Sequence, residues 1–269
     1  MDMVCLNCGK TYEGQYCPHC GQKAATKRLR FTEIAYNFVN SFVGGDNVFL
    51  NTCRDLIIRP GYMAQDYLLG KRVRYYNPLQ MYVFTLTVYA IISYVLGTEG
   101  AFIDNIGPQN FGTEEELTDV NSAANFVARC MNELYTNPLY GAIFVVLCAI
   151  LPYRWFFRKY KVERQDGMLL SLNLTEQFFV LMYHACLLKI VSTIMMPLYF
   201  IKGSETIISV VYQILAIFYL LLIYKQMLRI GWLKSMGLNA LSFLLTFMLL
   251  LVFIVALTGL AIFVGRVLS

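Results

Sequence analysis

Apolar residues follow two different rhythms along this chain, and each rhythm predicts a different kind of structure. Beyond residue 78, five long stretches carry almost no charge: Leu79–Leu96, Leu139–Phe157, Phe178–Ile201, Thr206–Tyr224 and Leu238–Val264. Each is close to the roughly 20 residues that a helix needs to cross a bilayer core, and the last is long enough to tilt. None alternates apolar and polar residues like a barrel strand. All five are predicted as helices, which satisfy their own backbone groups in lipid.

Residues 27–77 have a shorter, amphipathic period. Phe31, Ile34, Ala35, Phe38, Val39 and Phe42 recur at helical spacing and end at Gly44-Gly45. A second helix, capped by Asp46, carries Val48, Phe49, Leu50, Cys53, Leu56 and Ile57 and stops at Arg59-Pro60. A third runs from Tyr62 to Leu69 and closes at Gly70. Residues 1–26 show neither rhythm. The predicted fold is mainly α: a polytopic helical membrane protein of five spans over residues 78–269, with a small N-terminal zinc ribbon and interfacial helices between the two.

Composition agrees. Hydrophobic residues make up 58% of the chain and charged residues 14%, against about 45–50% and about 25% in soluble domains. That charge deficit excludes an ordinary soluble enzyme, a disordered chain and a collagen-like repeat.

Charge then predicts orientation. Residues 1–77 hold ten Lys and Arg, including Lys71, Arg72 and Arg74 just before the first span. Residues 98–137 hold Arg129 alone against seven acids, and the next loop is basic again with Arg154, Arg158, Lys159, Lys161 and Arg164. Lys225, Arg229 and Lys234 follow the fourth span, while Trp155 and Trp232 fall at the same interface. By the positive-inside rule the N-terminus is predicted cytoplasmic, the 98–137 loop external and the C-terminus outside.

The first twenty residues carry Cys5-x2-Cys8 and Cys17-x2-Cys20, each pair followed by glycine. Cysteines three apart turn two thiolates onto one metal, and the glycine supplies the positive φ of a tight knuckle. Two facing knuckles close a four-sulfur site of the structural zinc type, with no open position for substrate. Thr11–Tyr16 is predicted to form a hairpin turning near Glu13-Gly14 that brings them together. The alternative is a pair of disulfides in a secreted domain, but no signal-peptide pattern precedes the cysteines. His19, inside a knuckle, is predicted to face solvent. Cys53, Cys130, Cys148 and Cys186 lack ligand spacing and are predicted to be inert.

The helices before the first span admit two readings. They lie in the inner leaflet with Arg54, Arg59, Lys71, Arg72 and Arg74 on anionic headgroups, or they form a subdomain packed on the bundle. Together, the ribbon ending Cys17-x2-Cys20-Gly21-Gln22, Lys27-Arg28, Thr52, Pro60-Gly61 and Gly70-Lys71-Arg72-x2-Tyr75-x-Asn77-Pro78 resemble a family of small bacterial membrane proteins named only as a domain of unknown function. The resemblance implies a zinc ribbon, several C-terminal spans and a bacterial inner membrane. It implies no activity.

Span three carries Glu176 at its entrance and His184 and Lys189 within. A lysine at this depth costs about 2.5–3.5 kcal/mol to insert and is predicted to face the bundle or water. The group is either a proton or substrate relay or a polar packing device. The helical angles do not put the three on one face. No phosphate-cradling glycine loop, His-rich metal cluster or nucleophile–base set is present, so the preferred expectation is a non-enzymatic adaptor. Its ribbon docks a cytoplasmic protein partner and its bundle sits in the lipid bilayer. A transporter or lipid-handling protein using span three is the alternative, and a headgroup enzyme the next. The basic stretch from Lys23 to Arg30 would suit phosphates, yet a membrane-tethered ribbon favours protein over nucleic acid. Oligomeric state is not legible.

Overall fold

The computed structural model describes residues 3–24, 46–97, 138–163, 169–201 and 204–268. The expected helix through Phe31–Phe42, the acidic loop 98–137 and Cys130 lie outside the described residues. Strands β1 (Met3–Val4) and β2 (Thr11–Tyr12) open the chain, followed by helices α1 (Asp46–Ile58), α2 (Pro60–Leu68) and α3 (Pro78–Leu96). Then come α4 (Pro138–Phe157), the β3–β4 hairpin (Lys161–Glu163, Leu169–Ser171), α5 (Leu174–Met195), α6 (Glu205–Leu228) and α7 (Trp232–Leu268).

Helix boundaries follow from local chemistry. Asn77 caps α3 by accepting the Leu79 N–H, Pro78 fills the first helical position where its missing N–H costs nothing, and Gly97 closes the helix at φ 64°. Asn173 and Glu176 form a reciprocal capping box at the start of α5. The predicted third span runs through to Ile201. The α-helix stops at Met195 instead, because Pro197 removes a donor and tightens Met196–Phe200 into a 3₁₀ turn. Proline plays the opposite role at residue 60. It ends α1 and also starts α2 two residues earlier than the predicted Tyr62.

Among the described residues, four helices are long and apolar enough to cross a membrane: Pro78–Leu96, Leu174–Phe200, Thr206–Leu228 and Trp232–Ala256. Gly141–Phe157 is a shorter apolar helix. The chain is a helical membrane protein. At its centre stands α5, packed on α1, α2, α3, α4 and α6. In α5, 61% of the apolar window is buried within the protein, against 11% in α6 and 17% in α7. Outward-facing Leu233, Phe243, Val252 and Val255 on α7, and Ile207, Ile214 and Ile217 on α6, are exposed. Apolar surface on this scale matches lipid rather than water.

The short helices before α3 belong to the same core. Leu56, Met63, Ala64 and Tyr67 cluster with Tyr82, Phe179, Tyr183, Ile223 and Tyr224. Gly61 lies where α2 meets α6. A Cβ there would stand inside contact distance of the Ile223 carbonyl oxygen and 2.6 Å from Gln226 Cβ. Its N–H donates to Gln226 Oε1 at 2.9 Å. Only glycine permits that approach.

Candidate metal centre and the polar groups of the helical body

The two knuckles are built alike. Cys5 N–H donates to Lys10 O and Gly9 N–H to Cys5 O, both at 2.9 Å; Cys17 N–H donates to Gln22 O and Gly21 N–H to Cys17 O, both at 2.8 Å. Gly9 and Gly21 take φ 73° and 70°, in the left-handed region where a side chain is strained. The predicted hairpin within Thr11–Tyr16 does not form. Thr11 and Tyr12 instead pair with Val4 and Met3, and Tyr16 bridges Lys23. The first knuckle therefore sits at the tip of the β1–β2 hairpin, and the second in a turn closed by the single Tyr16–Lys23 bridge.

This arrangement gathers the four sulfurs within 4.8 Å of one another. Cys5 and Cys20 are 3.5 Å apart, and Cys8 and Cys17 3.7 Å. A tetrahedron with bonds of about 2.3 Å has edges of about 3.8 Å, so the spacing suits a single thiolate-bound ion. The four cysteines lie close enough to bind a metal ion. Against the opposing effect of burial, N–H groups of Cys8 and Asn7 and the Cys20 and Cys8 sulfurs bring Cys5 down to about 7. A bond from Lys10 pulls Cys8 down, but burial and its three neighbouring sulfurs outweigh it and raise Cys8 to about 11. Thiols this close resist full ionisation until a cation offsets the charge. His19 is exposed, with Nδ1 3.3 Å from Lys10 Nζ.

Three of the five cations named from sequence are drawn into ion pairs with Asp55 and Asp66. Arg59 Nη2 donates to Asp55 Oδ2 at 2.6 Å and to the Tyr75 hydroxyl at 2.9 Å. Tyr75 in turn donates to Asp55 Oδ2 at 2.8 Å. Lys71 pairs with Asp66 at 2.8 Å, and Arg74 lies 3.7 Å from Asp55. Arg54 is exposed. Arg72 acts on Tyr67, whose hydroxyl burial pushes up to about 12 while the Arg72 charge holds it back. Burial raises the Asp55 carboxyl, but its bonds from Arg59 and Tyr75 and the charges of Arg59 and Arg74 outweigh that and hold it below the usual carboxylate value. Sequence reasoning missed Asp55 and Asp66, and named Tyr75 only within the segment that carries the family resemblance. The Asp55–Arg59 spacing of four on one helix was the available signal.

The three polar residues of α5 face three different ways. Glu176 is buried and accepts the Asn173 N–H at 2.9 Å, so it serves its own helix cap. His184 Nε2 lies 2.9 Å from the Ala216 carbonyl oxygen on α6. The Lys189 ammonium sits 4.2 Å from the ring centroid of Tyr89 on α3. No single site gathers them. The buried bond between Gln177 and the Tyr224 hydroxyl, and the Tyr183 bond to the Tyr76 carbonyl at 2.6 Å, carry more of the polar packing.

Residues 46–90 match a family model described as a protein of unknown function, DUF3667. The match takes in α1, α2, the segment joining them to α3 and the first part of α3, and the four cysteines lie before it. No curated protein and no solved structure matches the chain.

Proposed function

We propose that this protein is a non-enzymatic membrane regulator whose N-terminal ribbon holds one structural zinc ion and docks a protein partner in the cytoplasm. Cys5, Cys8, Cys17 and Cys20 would be its ligands. The observation that carries the reading is the closed geometry of the four sulfurs. All four ligand positions are taken by the chain, which suits a structural ion and leaves no position for a substrate. In this reading the bundle is the anchor, set in a bacterial inner membrane with the N-terminus and the 158–177 loop inside. The 98–137 loop and the C-terminus lie outside.

The dispersal of Glu176, His184 and Lys189 favours packing roles over a transport pathway. The ion pairs of Arg59, Lys71 and Arg74 favour a packed subdomain over a headgroup belt. Three measurements test the proposal. Metal analysis should give one zinc per chain, lost in Cys17→Ser. Membrane-impermeant labelling of single cysteines, in a background lacking the native ones, should mark Ser122→Cys and spare Gln165→Cys. Retained zinc in the first case, or the reverse labelling in the second, defeats the corresponding half. For docking, cross-linking in whole cells should join a cytoplasmic protein to the intact chain and not to Cys17→Ser. Equal cross-linking by both defeats the ribbon as the docking element.

A further inference from the structure

Among the positions at which the two knuckles differ, Lys10 and Gln22 set them apart in what their side chains reach. Lys10 and Gln22 each lend their backbone carbonyl to close a knuckle, from Cys5 and Cys17 respectively. The Lys10 side chain stays at the surface beside His19. The Gln22 side chain is buried, 3% exposed, between the exposed Gly21 and Lys23. Its Oε1 accepts the Val73 N–H at 3.3 Å.

Val73 lies in the strap that leads from α2 into α3, whose other residues are tied to the helical body. Lys71 N–H donates to Asp66 O at 3.0 Å and its ammonium pairs with Asp66. Arg74 and Tyr75 reach Asp55. Tyr76 N–H donates to Thr52 Oγ1 at 3.0 Å. Two residues later Pro78 begins α3. The middle of the strap is thus held from the ribbon, and its ends from α1 and α2.

We propose that Gln22 is a positioning residue that couples metal occupancy of the ribbon to the order of the 71–75 strap at the entrance of α3. This rests on the metal reading of the four cysteines. With the ion bound, the Cys17–Gln22 backbone bond fixes where Gln22 stands, and its amide oxygen holds the strap. When the ion leaves, the knuckle loses the constraint that orders it, Gln22 drifts, and the Val73 N–H turns to water. The strap then loses the ribbon's hold on Val73, which gives the ribbon a route by which a local chemical event alters the first membrane helix.

The strap carries three tryptic sites within four residues, after Lys71, Arg72 and Arg74, so its release is read as cleavage rate. The experiment uses the full chain in lipid nanodiscs with reductant present. It compares zinc-loaded protein, protein stripped by chelator, and zinc-loaded Gln22→Leu and Gln22→Glu. Each sample's zinc content is measured in parallel. Stripped protein and Gln22→Leu should be cut within the strap about tenfold faster than loaded protein, the scale of one lost hydrogen bond. Gln22→Leu should still hold full zinc. Gln22→Glu keeps an acceptor and should be cut at the wild-type rate. Unchanged strap cleavage after proven zinc loss, or wild-type cleavage in zinc-loaded Gln22→Leu, overturns the coupling and leaves the metal reading intact. Failure of the unaltered chain to hold zinc overturns both.

Discussion

The ribbon and the helical body solve the same problem by opposite means. Residues 3–24 bury Cys5, Tyr12 and Cys17 as their whole core, with Cys20 and Ala24 against it. The body buries a continuous cluster from Leu56 on α1 to Leu228 on α6. Apolar burial is worth about 25 cal/mol per Å², and three side chains cannot offset the entropy of ordering twenty residues at 1–2 kcal/mol each. An ion on the four sulfurs would supply the order that the ribbon's core cannot, whereas the body's comes from packing. The two should therefore fail separately and for different reasons.

The largest effect should appear where the ribbon loses its ion. Cys17→Ser, or chelation of the unaltered chain, should remove a contribution on the order of 10 kcal/mol, as in metal-dependent fingers. The ribbon should unfold while the thermal midpoint of the body moves little. Trypsin mapping beside thermal denaturation in detergent checks both, and a midpoint that collapses with the metal would break the comparison. Next in size is the closest packing of the body. Gly61→Ala forces a Cβ against the Ile223 carbonyl and Gln226 and should cost about 3 kcal/mol. It should do so with full metal retained, measured by denaturation together with metal content.

A smaller effect lies in the ion pairs beside the strap. Asp55 has its carboxyl held below the usual carboxylate value, by bonds and charges that outweigh burial. A depressed folded value means that its contribution is fully present above the unfolded carboxylate range and lost as pH falls through the folded value. The midpoint of the unaltered body should therefore drop below pH 4 more steeply than that of Asp55→Asn. The same substitution should cost about 1–2 kcal/mol at neutral pH, since Arg59 and Tyr75 lose a charged acceptor. Equal acid profiles for the two proteins would take Asp55 out of the account. The smallest effect is expected at Lys189. Lys189→Met forfeits a cation–π contact worth about 0.5–2 kcal/mol but removes a charge that costs about 2.5–3.5 kcal/mol to insert, so the two largely offset. Stability should be unchanged or slightly raised. Function assayed in cells beside Lys189→Arg should be unchanged in both.

Much of the body was legible in the chain because burial in lipid demands long uncharged runs, and such runs stand out in a sequence. Helix ends were legible where one residue decides them, as Asn77-Pro78 and Gly97 do for α3. Proline was harder to read. Pro60 and Pro197 end one helix, yet each also starts the next element, a choice made by what packs behind them. In the ribbon, the cysteine spacing announced the sulfur cluster, but strand pairing did not follow from it. A hairpin confined to Thr11–Tyr16 looks natural locally, whereas the folded chain uses Met3–Val4 as the partner of Thr11–Tyr12. Charge was the least legible. The sequence marks Arg59, Lys71 and Arg74 as basic without saying that Asp55 and Asp66 await them. Nothing local reveals that Gln22 reaches Val73 or that Lys189 meets Tyr89, because both contacts depend on the fold as a whole.

The contact between Gly61 and Gln226 spans 165 residues, and it sets an order of events during synthesis. Chains emerge at about 5–20 residues per second, so α2 waits roughly 8–33 s for the helix it packs against. Through that interval its apolar face must rest on α1, on α5 once that helix has emerged, on the membrane surface or on a chaperone. Truncated chains that end before α6 should therefore be markedly more prone to degradation than chains that include it.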